Sequence, residues 1–224
     1  TTTHTVTSVT AGGNLGLAAG RDITSEGAAF KAGDVLAASA GRDVNLNAVT
    51  DVVTTHEHHK EGRTAVSTSS LDETLRGTTL DAAHGIVISA GHDITTTAAN
   101  LASSDGAIAL GAGHDITLDA GLETHDTTRD TKYKKSGLSS SKTTTTHDAT
   151  HDTYAIGSTL SGDAVTIAAG HDLTTRAAQV AGTHDVTLVA GHDVTIGTAD
   201  EVSTDAYSIS KKKSGIFGGG GASG

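Results

Sequence analysis

Thirteen histidines and 26 acidic residues in a chain of 224 make metal binding the first chemistry to consider. The densest group is His56, His58 and His59 with Glu57 and Glu61, while His147 and His151 stand four residues apart. Zinc accepts imidazole and carboxylate donors, but they must converge from a fixed scaffold. His-Glu-His-His lacks the spacing of the helical His-Glu-x-x-His motif. On a strand, His56 and His58 share a face from which His59 points away. The sequence therefore predicts no resident metal and no cofactor, only opportunistic capture of nickel or zinc.

A second constellation recurs along the chain. AGRDI begins at Ala19 and AGRDV at Ala40; AGHDI, AGHDI, AGHDL and AGHDV follow from Ala90, Ala112, Ala169 and Ala190. Its Gly-x-Asp-x-aliphatic tail has features of a calcium-binding nonapeptide, but that repeat has a period of about nine residues, so calcium is not expected. The aspartates could also suggest a polysaccharide-cleaving enzyme. Such enzymes need clustered carboxylates in a groove, beside aromatic sugar platforms. The chain has five aromatics, Phe30, Tyr133, Tyr154, Tyr207 and Phe217, and all but Phe30 fall between the repeated phrases. We expect no catalytic residue and no enzymatic activity. Gly218 to Gly221 lacks the Gly-Lys-Ser/Thr order of a phosphate loop and reads as a linker or turn.

What positions these residues is the repeat itself. The phrase glycines are separated by 21, 50, 22, 57 and 21 residues, so the phrases come in pairs with an insert after each pair. The chain reads as one repeat fragment of three modules, about 11–80, 81–160 and 161–224. Aliphatic residues stand five and three before the glycine, as in Leu15 and Leu17, Ile86 and Ile88, or Val165 and Ile167. Another follows three residues after it: Ile23, Val44, Ile94, Ile116, Leu173 or Val194. Apolar residues two apart mark one face of a strand. Each unit of about 21 residues is then a coil of two or three short strands, and the chain is all-β, a parallel β-helix. Six coils at about 4.8 Å each give a rod of about 29 Å.

The phrase would form the turn of each coil. Gly20, Gly41, Gly91, Gly113, Gly170 and Gly191 are expected there for their tolerance of positive φ, and Asp22, Asp43, Asp93, Asp115, Asp172 and Asp193 to accept backbone hydrogen bonds. His92, His114, His171 and His192 replace Arg21 and Arg42. Coils in register would bring paired histidines together; they are either exposed turn residues with nothing to sense, or a set whose protonation near pH 6 loosens the rod by like-charge repulsion. A lone coil buries too little to offset its ordering entropy. Stacking must stabilise it, and uncovered ends predict end-to-end association of an isolated fragment.

Composition agrees with thin coils. There is no Pro, Cys, Met or Trp, and aromatics make up 2%, too few for an ordinary globular core. Absence of cysteine excludes disulfides and thiolate sites. A formal net charge of −11 disfavours nucleic acid as a partner. The inserts, about Thr50 to Leu80, Thr124 to Leu160 and from Asp200 onward, are rich in Thr, Ser and Lys. They predict extended hairpin-like excursions or partial coils on one side of the rod, with mobile tips at Gly62, Gly137 and Gly215. Lys134, Lys135, Lys212, Lys213, His56 and His58 are the candidate interaction residues within them.

The tandem phrase AG(R/H)D(I/V/L), led by Val165-Thr166-Ile167 or Val186-Thr187-Leu188, resembles the hemagglutinin repeats of bacterial two-partner-secretion exoproteins. The insert phrases KKSGL at Lys134 to Leu138 and KKSGIFGGGG at Lys212 to Gly221 extend the resemblance over essentially the whole chain. That group includes filamentous hemagglutinin adhesins and contact-dependent growth inhibition toxins. The resemblance implies a right-handed β-helix, export through an outer-membrane partner transporter, and a place at the bacterial cell surface. It further implies a structural or delivery role in adhesion or toxin transfer. The alternative is a binding module whose inserts engage a target-cell surface or glycan directly.

Overall fold

The computed structural model describes residues 1–215; the Gly218 to Gly221 linker and Phe217 lie outside them. Six coils stack into a parallel β-helix, each contributing one strand to each of three six-stranded sheets. Coil 2 illustrates the pattern: Ala29–Ala32, Val35–Ala40 and Val44–Asn47 run around the rod in turn. Every coil has three strands, which resolves the expectation of two or three.

Alternation along each strand sends one residue in two to the axis, and the sheet register stacks those residues into columns. Leu15, Leu36, Ile86, Ile108, Val165 and Val186 pair in succession through the second sheet. Ile23, Val44, Ile94, Ile116, Leu173 and Val194 do so through the third. Middle coils bury these side chains fully, Leu36, Ile86, Ile94, Ile108 and Ile116 among them. The outermost coil leaves its inward positions open: Ile196 is 72% exposed, whereas Leu118 in the same column is fully buried. The apolar interior is therefore completed by stacking.

One inward column alternates in character with a period of two coils. Ser25, Thr96 and Thr175 occupy the odd coils, and Leu46, Leu118 and Ile196 the even ones. The buried hydroxyl of Ser25 lies 2.9 Å from that of Thr78, and the hydroxyl of Thr96 lies 2.9 Å from that of Ser158. Thr78 also donates to the Asn47 carbonyl and Ser158 to that of Asp119. Each hydroxyl thus ties the residue that re-enters the rod to the strand that left it, satisfying polar groups that burial would otherwise penalise.

Excursions leave from a single corner, between the third strand of one coil and the first of the next. At uninterrupted coils this corner is tight and left-handed, with Gly27 at φ 61°, Ala98 at 50° and Ala177 at 48°. After coils 2 and 4 it opens into hairpins, Val49–Glu61 with Thr64–Arg76 and Gly121–Ser136 with Ser140–Ile156. After coil 6 comes the strand Val202–Gly215. The inserts are hairpins rather than extra coils, and their bounds are narrower than the sequence suggests. Leu80 and Leu160 are buried rod residues on strands Thr79–Ala82 and Thr159–Gly162, because their aliphatic side chains continue an inward column.

Neighbouring hairpins pair with each other. Thr64–Asp72 lies antiparallel to His125–Tyr133, and Ser140–Thr153 to Val202–Gly215, making one five-stranded sheet. Asp51 is its only buried residue among those described, so the sheet projects from the rod as a single-layer fin. At its base, Asp51 accepts hydrogen bonds from Arg76 and from the His4 backbone N–H at 2.7 Å, with His4 Nδ1 at 3.0 Å. The Arg76 guanidinium, with His4 beside it, holds the Asp51 carboxyl at about 2.

The repeated phrase forms the corner between the second and third sheets, but its glycines are not there for positive φ. Among the described residues, only Gly27, Gly62 and Gly85 are glycines with positive φ. Close approach is the reason instead. A Cβ on Gly41, Gly91, Gly113, Gly170 or Gly191 would lie 2.1 to 2.3 Å from the carbonyl oxygen of the phrase glycine one coil earlier.

Two predictions follow from this packing. Gly113→Ala should lower stability by roughly 1–3 kcal/mol or more through backbone overpacking, whereas Gly20→Ala, whose Cβ meets nothing within 4 Å, should be nearly neutral in the same denaturation assay. Asp51 contributes stability above the ordinary carboxylate range, about 4, and loses it as pH falls toward about 2. Asp51→Asn should thus melt lower than the parent at pH 7, with the gap closing over that acid window; a gap independent of pH would contradict this role.

Candidate functional site

Two surfaces concentrate polar chemistry. The first is the phrase corner, where backbone hydrogen bonds continue the sheet ladders around the bend. The N–H of each phrase Arg or His donates to the carbonyl of its counterpart one coil earlier, as His92 to Arg42, His114 to His92, His171 to His114 and His192 to His171, all at 2.8 Å. The aspartates add a side-chain rung: Oδ1 of Asp93, Asp115 and Asp172 accepts the N–H of Asp115, Asp172 and Asp193 at 3.0 Å. Asp22 and Asp43 accept from Asp43 and Asp93 at 3.4 and 3.3 Å. Hence each of the first five aspartates serves the next coil rather than only its own turn.

These contacts place the carboxylates in a column one coil apart. In the first coils arginine supplies the counter-charge: Arg42 Nη2 lies 2.7 Å from Asp22 and its Nε 3.0 Å from Asp43. That guanidinium holds the Asp22 carboxyl below the usual range; burial opposes it, and the Asp43 N–H assists. Further along, imidazoles take the guanidinium position. His92, His114, His171 and His192 form one continuous stack, with centroids 4.8, 4.9 and 4.9 Å apart and rings within 10° of parallel. Burial pushes the Asp93 and Asp172 carboxyls up, but the N–H of Asp115 or Asp193 and the neighbouring imidazoles more than offset it, leaving both lowered.

The histidines therefore meet as a stack of four rather than as isolated pairs. Each Nδ1 lies 2.9 to 3.7 Å from a carboxylate of its own coil and one of the coil before. A protonated imidazole there faces two carboxylates, and that attraction opposes the ring–ring repulsion expected to loosen the rod.

The second surface is the outer end of the fin. Antiparallel register puts Lys135, Lys142 and Lys213 directly opposite one another across three strands, with Lys134 and Lys212 flanking Thr143 in the preceding row. Eight of the nine lysines fall within four consecutive rows there. Strand alternation puts Lys134, Lys212, His56 and His58 on one face, with Lys60 and Lys132, and Lys135 and Lys213 on the other, with Lys142. The first face holds a concavity of about 550 Å³ lined by His58, Lys60, Arg63, Lys132 and Lys134. Like charges directly opposite on a sheet are destabilising, so this row of lysines costs the fin stability.

Sequence reading picked out Lys134, Lys135, Lys212 and Lys213 because they are runs. It missed Lys142, Lys60 and Arg63, which join the patch only through hairpin register. The histidine cluster of the first insert does not converge: His56 Nδ1 bonds Ser69 Oγ at 3.0 Å, while His59 Nε2 lies 3.9 Å from Glu61.

The chain has relatives of known name. It is 37% identical over 217 residues, 96% of its length, to a tRNA nuclease CdiA of Escherichia coli (strain STEC_O31), of which it covers 6%. It is 30% identical over 98% of its length to tRNA nuclease CdiA-2 of Burkholderia pseudomallei (strain 1026b), covering 7%. A Deoxyribonuclease CdiA of Dickeya dadantii (strain 3937) is 36% identical over 95% of the chain and again is covered to 6%. The chain thus spans a small fraction of each relative's length. No solved structure matches it. The family model described as hemagglutinin repeat matches residues 1–85 and 136–224, most of the chain, and on that match the chain belongs to the hemagglutinin-repeat family.

Proposed function

We propose that this chain is a structural and delivery segment of a secreted filamentous protein that acts at the bacterial cell surface in contact-dependent growth inhibition or adhesion. It is exported through an outer-membrane partner transporter and presented to a target cell. The observation that carries this reading is the use to which the polar residues are put. The phrase aspartates are spent on the coil-to-coil ladder, and the buried hydroxyls on closing hairpin bases. We assign the nuclease activities for which the relatives are named to parts of those proteins outside the matched segment, so that this segment carries no catalysis of its own. Its open last coil supports end-to-end association of an isolated fragment.

A second reading is favoured by the lysine-rich end of the fin. There the inserts would engage a target-cell surface or glycan directly, without nucleic acid as a partner. Deleting Ala120 to Ile156 separates the two readings. That cut leaves Gly157 and Ser158 as a two-residue corner like Ala98 and Ala99, so the rod can close. In the full-length parent, the structural reading expects normal attachment with lost assembly or toxin transfer. Normal export and filament length with lost cell binding would instead establish the binding role.

A further inference from the structure

We propose that the histidine-bearing corner of coils 3 to 6 is a binding site for divalent transition-metal ions of the zinc class, one held by His92, Asp93 and His114 and a second by His171, Asp172 and His192. Within each triad one ligand atom per residue lies within 4.8 Å of the others. Imidazole and carboxylate are the donor set that suits zinc, nickel and copper. The scaffold requirement that the insert histidines fail is met here, because each histidine sits on a corner fixed by a backbone hydrogen bond to the coil before it, and His92, His114 and His171 by another to the coil after it.

Charge supplies the reason for a cation. Carboxylates stacked at every coil repel one another. Arg42 bridges Asp22 and Asp43 in the first coils, but a neutral imidazole brings no charge to the same place farther along. A divalent ion between an aspartate and two imidazoles restores what the guanidinium provides. His114 shows the unmet valence most plainly. Its Nδ1 is shielded from solvent and makes no hydrogen bond, although carboxylate oxygens of Asp93 and Asp115 lie 3.4 and 3.1 Å away.

Geometry also sets the stoichiometry. Zinc–ligand bonds of about 2.0–2.2 Å at tetrahedral angles set two donors about 3.4 Å apart, so a pair at the 4.8 Å limit of these triads must close by about 1.4 Å on binding. That closure falls on the imidazole rings, which are about half exposed to solvent. A third triad, His114, Asp115 and His171, shares a histidine with each of the others. Filling the outer two therefore excludes it, and the chain holds two ions.

The test is a calorimetric titration of the chelator-treated full chain with Zn2+ alone. We expect two equivalents bound and a raised melting temperature. His114→Arg/His171→Arg installs the residue that coils 1 and 2 carry at this position and should lose both equivalents while keeping its β-sheet circular dichroism. His56→Ala/His58→Ala/His59→Ala should keep both. X-ray absorption at the zinc edge of the unaltered chain should show two imidazoles per ion. No binding by the parent, two equivalents retained by the double arginine variant, or loss in the triple alanine variant would overturn the proposal.

Discussion

The spacing of hydrogen-bonded β-strands, about 4.8 Å, governs both parts of this molecule. It sets the rise of each coil, and it also sets the width of each strand in the fin. A hairpin adds two strands, about 9.5 Å, and two coils rise by the same amount. One hairpin per two coils is thus the arrangement that lets successive hairpins pair edge to edge. The paired coils and the interrupting inserts are one design: each pair of coils lifts the exit point by the width of one hairpin.

That match constrains individual residues. The exit corner alternates between a tight left-handed turn at Ala98 or Ala177 and an open hairpin base. The core follows the same alternation, placing Ser25, Thr96 and Thr175 where Leu46, Leu118 and Ile196 stand in the next coil. At the opposite corner no excursion is made, and every coil presses its phrase glycine against the one before. Side chains are excluded there, so only the following Arg or His and Asp can carry chemistry outward. A rod with one closely packed corner and one excursion corner presents an ordered polar stripe and a basic fin to different directions of solvent.

Much of this is written in the sequence because it is local or strictly periodic. Aliphatic residues two apart define the inward columns, recurrence near 21 residues defines the coils, and the Thr-rich inserts between pairs read as extended excursions, either hairpins or partial coils. What the sequence hides depends on contacts between residues far apart in the chain. Gly91 needs to be glycine because of Gly41, 50 residues earlier. Lys142 joins the basic patch only because hairpin register sets it opposite Lys135 and Lys213. Likewise, Leu80 and Leu160 look like insert residues until the stacking shows them continuing a core column. The histidines that converge are those spaced by whole coils, and not the dense run at His56 to His59.

The six coils form a repetitive rod that grows by two coils for each excursion, each pair of coils adding a strip of fin. The claim on which this rests is the equality of rise between two coils and one hairpin. Inserting a second copy of residues 79–99 between coils 3 and 4 adds one coil without a hairpin and shifts the hairpins apart by about 4.8 Å. Amide hydrogen exchange then reads the seam between Thr64–Asp72 and His125–Tyr133. The account predicts that protection at this seam is lost while the rod amides remain protected; a seam as protected as in the parent would contradict it.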